Sequence, residues 1–145
     1  MDGAPAEMME FLIFAGIYLW GALMLIPGIG AYRGTWRRWA ARRQHYELGK
    51  HSYLGFTLFY AGLAIMLTAT VSLTVVLGAP QVVSDAIVVG IAASGILCAA
   101  SAAYLPRILL PSWFRRWIDD GAHPQDVLQA GRGPYSLRPP TPVRK

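Results

Sequence analysis

The sequence has few charged residues and a single cysteine. Only 14% of its 145 residues are Asp, Glu, Lys or Arg, whereas 54% are hydrophobic, and Cys98 has no second cysteine with which to form an internal disulfide. A soluble domain of this size needs a polar surface that such a composition does not supply. The composition therefore indicates a membrane protein, in which Cys98 serves as a small packing residue.

The long hydrophobic runs lack the residues on which membrane transport and catalysis usually depend. Pumps, proton relays and ion pathways place Asp, Glu, His, Lys or Arg within their spans, but here the three histidines, His45, His51 and His123, lie outside those runs. No residues have zinc-ligand spacing, no glycine-rich loop is suited to phosphate, and no serine has an evident base. We therefore expect no enzyme activity, no metal and no cofactor.

Three uncharged runs are long enough to cross a membrane. They cover about residues 11–31, 53–77 and 86–105, and a helix needs roughly 20 residues to cross the hydrocarbon core. The sequence thus predicts an all-α integral membrane protein with three transmembrane helices. Near the end of the first run, Pro27 with the glycines that follow it predicts a kink or an early end of the helix.

All thirteen cations fall on one side of a three-span arrangement. Six lie between the first and second runs, seven lie beyond residue 105, and none lies in the first ten residues or in the link 78–85. Because positively charged loops stay in the cytoplasm, the N-terminus is predicted outside and the C-terminus inside. Eleven cations are Arg, which is typical of GC-rich bacterial genomes, so we expect the bacterial cytoplasmic membrane. Cations that flank hydrophobic runs favour anionic lipid headgroups, and not nucleic acid, as partners.

Two segments, just after the first and third runs, combine tryptophan with arginine. They are residues 32–43 and 112–120, and both are predicted to form short amphipathic helices along the headgroups. Such segments commonly anchor a membrane protein, and a docking surface for a partner is the alternative. The residues predicted to contact headgroups are Trp36, Arg37, Arg38, Trp39, Arg42, Arg43, Trp113, Arg115, Arg116 and Trp117.

The second of these segments has further helix signals. Ser112 is of a type that caps helices. Arg115 with Asp119, and Arg116 with Asp120, have the i,i+4 spacing of ion pairs. Residues 1–120 are therefore predicted to form a three-helix membrane domain that ends in this helix, and residues 121–145 a Pro/Gly/Arg-rich cytoplasmic tail, disordered or polyproline-like on its own.

Small residues recur along the second and third runs at helical spacing. Stripes of small residues let helix backbones approach closely in a membrane. We predict that the second and third helices pack together through one stripe of the third, which leaves its other stripe for the first helix or another protein. The residues assigned to helix packing are Thr57, Ala61 and Thr68 on the second helix, Gly90 and Ser94 on one side of the third, and Gly95, Ala99 and Ala103 on its other side.

These features favour a non-catalytic accessory or structural subunit of a larger membrane complex. It would bind other membrane protein subunits by lateral helix packing and by its Trp/Arg segments. Two alternatives stay open. With three spans, an outside N-terminus and a basic inside tail, the chain is similar in layout to class I phage holins, which implies a self-assembling pore former. The loop 32–52 is also suited to a membrane anchor that recruits a cytoplasmic partner.

Overall fold

The computed structural model describes residues 4–41 and 51–128. Within these ranges the chain is helical and contains no strand, so the predicted all-α architecture is confirmed. The α-helices are α1 (Ala4–Arg33), α2 (Leu54–Val76), α3 (Gln81–Ser101), α4 (Ser112–Asp119) and α5 (Pro124–Leu128), with 3₁₀ turns at Arg38–Ala41 and Arg107–Leu109.

Helices α1, α2 and α3 are long and apolar enough to cross a membrane. Their apolar spans contain 26, 23 and 21 residues, and at about 1.5 Å per residue each exceeds the roughly 30 Å of the hydrocarbon core. The three predicted spans are therefore confirmed. The third helix begins at Gln81, after Pro80 at its N-cap and five residues before the uncharged run. The exposed Asp85 therefore lies in its second turn, where it accepts a hydrogen bond from Gln81 Nε2 at 3.0 Å.

The first helix does not end at Pro27, so the early end is wrong. It continues to Arg33 and stops at Gly34, whose φ of +75° suits glycine. There the Gly34 N–H donates to the Ala31 carbonyl at 3.2 Å and the Thr35 N–H donates to the Gly30 carbonyl at 2.9 Å. These two hydrogen bonds form a Schellman motif, which ends the helix and satisfies its last carbonyls.

The second helix lies between the other two. It packs along both α1 and α3, whereas α1 and α3 make few contacts with each other in the described chain. The three helices therefore form an open layer and not a closed bundle.

Four glycines, which we call the glycine seam, let α1 and α2 approach closely. They are Gly21 and Gly28 on α1 and Gly55 and Gly62 on α2. A Cβ at Gly28 would lie 2.5 Å from the Cα of Phe59, and one at Gly62 would lie 2.7 Å from a backbone nitrogen of α1. Side chains larger than hydrogen therefore do not fit between the two helices at these points.

Hydroxyl groups join the layer on both sides of α2. On the α1 side, the Tyr18 and Thr70 hydroxyls lie 3.1 Å apart and those of Tyr32 and Tyr60 lie 2.6 Å apart. On the α3 side, the Thr57 and Ser101 hydroxyls lie 2.8 Å apart, and those of Thr74 and Ser84 lie 3.2 Å apart. Such bonds satisfy polar groups that have no water partner in a hydrocarbon environment.

The remaining elements form a headpiece at the end of the layer where α1 stops and α2 begins. The headpiece comprises residues 34–41 and 102–128. Its last element, α5, packs against the 3₁₀ turn Arg38–Ala41 and buries Val127 to 2% exposure. Residues 121–128, which the sequence assigned to a tail that is disordered or polyproline-like on its own, are therefore part of the headpiece, and residues 129–145 of the predicted tail lie outside the described residues.

Candidate functional site

An aromatic core holds the headpiece to the helices. Phe114 of α4 is fully buried, and its ring centroid lies 5.2–5.7 Å from five other rings. The arrangement suits aromatic rings, which prefer edge-to-face and offset contacts at these distances. The five rings are those of Trp39, Tyr53, Phe56, Trp113 and Trp117.

Buried indoles need acceptors for their N–H groups, and the three buried tryptophans have them. Trp39 Nε1 donates to the Trp36 carbonyl at 2.7 Å, and Trp117 Nε1 donates to the His123 carbonyl at 3.0 Å. Trp113 Nε1 donates to the Ala31 carbonyl at 3.0 Å. This last bond joins α4 to the final turn of α1, so the headpiece is fixed to the transmembrane layer.

Burial also affects one phenol at the start of α2. Tyr53 is buried just before the membrane-spanning segment, and this desolvation raises the pKa of its hydroxyl above the ordinary value.

The residues predicted to contact headgroups differ in their exposure. Trp39, Trp113 and Trp117 are only 3%, 6% and 7% exposed, so the aromatic face of α4 packs mainly on the protein. Trp36 and Arg37 are half-buried, whereas Arg38, Arg115 and Arg116 are exposed. Arg42 and Arg43 lie outside the described residues.

The local details of α4 also differ from the sequence expectation. Ser112 is the first helical residue, Pro111 occupies the N-cap position, and no side chain caps the helix. Asp119 forms its ion pair with Arg107 and not with Arg115. Both partners are largely exposed, so this pair contributes little to stability.

Three arginines line a shallow depression between the end of α1 and the start of α4. Its volume is about 220 Å³, and it lies against Tyr32, Arg33, Arg37, Ser112, Trp113 and Arg116. The guanidinium carbon of Arg37 lies 4.9 Å from the centroid of the Trp113 ring. The depression is therefore basic, partly aromatic and open. Arg33 was missed from the sequence here, because only the fold brings it beside Arg116, and Ser112 was missed because it was assigned to the helix cap.

Charge is distributed unequally between the two ends of the layer. The described arginines lie at the end of α1 or in the headpiece. Glu10 lies near the start of α1 and Asp85 near the start of α3, at the opposite end of the antiparallel layer. The headpiece also contains Asp119, Asp120 and Asp126, but the six described arginines outnumber them, so this end is the basic end of the described chain.

One side of α3 carries the predicted contact with α2. Ser94 is buried, Gly90 is half-buried, and a Cβ at Gly90 would lie 3.2 Å from Leu67 Cδ1. On α2, Thr57 bonds to Ser101 and Ala61 is half-buried.

Thr68, assigned to the same stripe of α2, is placed elsewhere. It is exposed, and its hydroxyl donates to the carbonyl of Ala64 in its own helix at 2.8 Å. The side of α3 that faces away from α2 is uncovered at Gly95 and Ala99, and no atom lies within 4 Å of a Cβ at Gly95. Ala103 lies just beyond α3 and is half-buried.

The uncovered faces of α3 and α1 differ in side-chain size. On α3 the exposed residues Ala92, Gly95 and Ala99, continued by Ala102 at the C-cap, follow one another at steps of three and four, and we call them the small-residue face. Exposed Val88 and Ile96 lie beside it. On α1 the exposed face is bulky, with Phe11, Leu12, Leu19, Trp20, Leu23 and Ile26.

In residues 4–41 and 51–128, no three His, Cys, Asp or Glu side chains come together as a metal site. No protein-family model matches the sequence, and neither a curated protein nor a solved structure matches the chain. The interpretation of this site therefore depends on its geometry alone.

Proposed function

We propose that the protein is a non-catalytic accessory subunit of a larger membrane complex, in which α3 packs against a neighbouring subunit. The main support for this proposal is a difference in side-chain size. The small-residue face of α3 has smaller exposed side chains than the bulky face of α1. Lipid chains need no small side chains opposite them, but a second helix needs them for close approach. The expected partner is therefore a transmembrane helix of another protein.

The open layer supports the same proposal. Because α1 and α3 do not close on each other, the small-residue face is free for an external helix and not consumed in the protomer. We expect no catalytic activity, because residues 86–105 and the two other uncharged runs contain no Asp, Glu, His, Lys or Arg, the residues on which intramembrane chemistry usually depends.

In the proposed orientation the headpiece faces the cytoplasm. The positive-inside rule places short arginine-rich segments on that side, and the described arginines lie at the headpiece end. Anionic lipids of the cytoplasmic leaflet would then lie beside them. In a bacterium this would be the cytoplasmic membrane.

The test compares two glycines on uncovered helix faces. Gly95 lies on the small-residue face of α3 and Gly16 lies on the exposed face of α1, and a Cβ at either position would meet no atom within 4 Å. We predict that Gly95→Leu releases the protein from its complex, because the isobutyl group blocks close helix approach. Gly16→Leu should leave the complex intact. The measurement is native mass analysis of the full chain, expressed at its natural level and extracted in mild detergent.

The composition of the complex decides between the alternatives. A heteromeric complex of fixed stoichiometry that is lost only in Gly95→Leu supports the accessory subunit. A lone wild-type protomer would exclude it. A complex made only of copies of this chain would replace it with the pore former, whose induced expression should also collapse the membrane potential.

A further inference from the structure

We propose that residues 123–128, which we call the latch, open and close over the aromatic core while the rest of the headpiece stays folded. In the closed state the latch packs against the 3₁₀ turn Arg38–Ala41 and supplies a carbonyl to the indole of Trp117. In the open state it would leave both, so the latch controls access to the aromatic core. This inference goes beyond the proposed lateral packing and does not depend on it.

The closed position depends mainly on one side chain and one hydrogen bond. Val127 is 2% exposed and belongs to the same buried cluster as Trp39 and Trp117. The His123 carbonyl accepts a hydrogen bond from Trp117 Nε1 at 3.0 Å. The side chains of residues 123–126 are exposed, so they add little to the burial of the latch.

The helix of the latch does not hold itself together. Helix α5 has five residues, whereas isolated helices shorter than about 12–15 residues are marginal in water, because their first turn is costly to form. We therefore expect α5 to stay helical only while it packs on the headpiece. When that packing is lost, the whole latch should unfold as one local unit.

The residue before the latch is strained in the closed state. Helix α4 ends in a Schellman motif, in which the Gly121 N–H donates to the Ile118 carbonyl at 3.1 Å and the Ala122 N–H donates to the Trp117 carbonyl at 2.8 Å. Ala122 itself has a φ of +53°, a left-handed conformation that is unfavourable for a residue with a Cβ. The motif does not involve the latch, so α4 can keep it while Ala122 leaves this conformation. The strain at Ala122 therefore favours opening.

Two buried indoles distinguish opening of the latch from unfolding of the headpiece. The N–H of Trp117 is bonded to the latch through the His123 carbonyl. The N–H of Trp113 makes a bond of the same length, 3.0 Å, to the Ala31 carbonyl of α1. Opening of the latch should thus expose the Trp117 N–H to exchange with solvent and leave the Trp113 N–H protected.

The experiment measures hydrogen exchange of the two indole N–H groups by NMR, with the full chain in detergent. We predict that Val127→Asp speeds exchange at Trp117 Nε1 by about tenfold or more, because a carboxylate is costly to bury in this core. Exchange at Trp113 Nε1 should stay unchanged. Gln125→Asp is the matched control, since Gln125 is exposed on the same short helix, and it should change the Trp117 rate by about twofold at most.

Substitutions of Ala122 should act in both directions. Ala122→Gly relieves the strain and should slow exchange at Trp117 by about threefold or more. Ala122→Val increases the strain, because a β-branched residue tolerates positive φ poorly, and should speed the exchange. If Val127→Asp speeds exchange equally at Trp113 and Trp117, the latch does not open separately from the headpiece and the proposal is wrong. Failure of Ala122→Gly to slow the exchange would also overturn it.

Discussion

At the scale of single residues, the headpiece depends on Phe114. This ring is fully buried and contacts five other aromatic rings that come from α2, from the turn after α1 and from α4 itself. Because it touches every part of the aromatic core, its removal would leave a cavity that no single neighbour can fill.

We therefore expect Phe114→Ala to destabilise the headpiece by about 3–5 kcal/mol, the usual range for a buried Phe replaced by Ala. The measurement is urea unfolding of the full chain in detergent, followed by tryptophan fluorescence. Ile108→Ala serves as the control, because Ile108 is 86% exposed in the same headpiece and should change the unfolding free energy very little. Equal losses in the two variants would show that Phe114 is not central to this core.

The helix at residues 112–120 was easier to predict than the surroundings of its side chains. The sequence correctly predicted a helix near residues 112–120, but the aromatic face of α4 is largely buried against the protein. Helical periodicity shows that Trp113 and Trp117 share a face, yet it does not show whether lipid or protein covers that face. The same reason explains Asp119, whose partner Arg107 is supplied by the fold and not by i,i+4 spacing.

At the scale of helices, close packing of α1 on α2 depends on the glycine seam. The two glycines of each helix are seven residues apart, which is two helical turns and returns to the same face. Backbone atoms of the opposite helix occupy the space where side chains would lie at Gly28 and Gly62.

A methyl group at Gly28 tests this seam. Gly→Ala in a helix normally stabilises it by about 0.5–1 kcal/mol, but at Gly28 the new Cβ would lie 2.5 Å from Phe59 Cα. We predict that Gly28→Ala instead destabilises the protein by about 1–3 kcal/mol, the usual cost of overpacking. Gly16→Ala, whose Cβ meets nothing within 4 Å, should be neutral or stabilising. Thermal unfolding in detergent, followed by circular dichroism, measures both, and a stabilised Gly28→Ala would contradict the close approach.

The contact stripes of the helices were only partly predictable. Contacts from α2 to α3 occur at Thr57, Leu67 and Thr74, which follow the alternating steps of three and four that helix packing favours. Thr68, which the sequence assigned to the same stripe, is exposed, and its neighbour Leu67 makes the contact with α3 instead. The seven-residue spacing of the glycine seam was present in the sequence and was the signal that should have predicted α1 against α2.

At the scale of the whole molecule, the fold class and the three spans followed from the sequence, because long uncharged runs have few other structures available to them. The headpiece did not follow from it. Its formation depends on contacts between residues 34–41, the start of α2 and residues 102–128, which are far apart in the sequence. No local pattern determines such contacts.

In the topology that we propose, three helices cross the membrane and the basic headpiece lies on the cytoplasmic side. It is tested by single cysteines in a Cys98→Ala background, treated in intact cells with a membrane-impermeant maleimide. Gln81 and Arg115 are both exposed and lie at opposite ends of the layer. We expect Gln81→Cys to react in intact cells, whereas Arg115→Cys should react only after the membrane is permeabilised. Reaction of Arg115→Cys in intact cells, or of both positions from the same side, would contradict it.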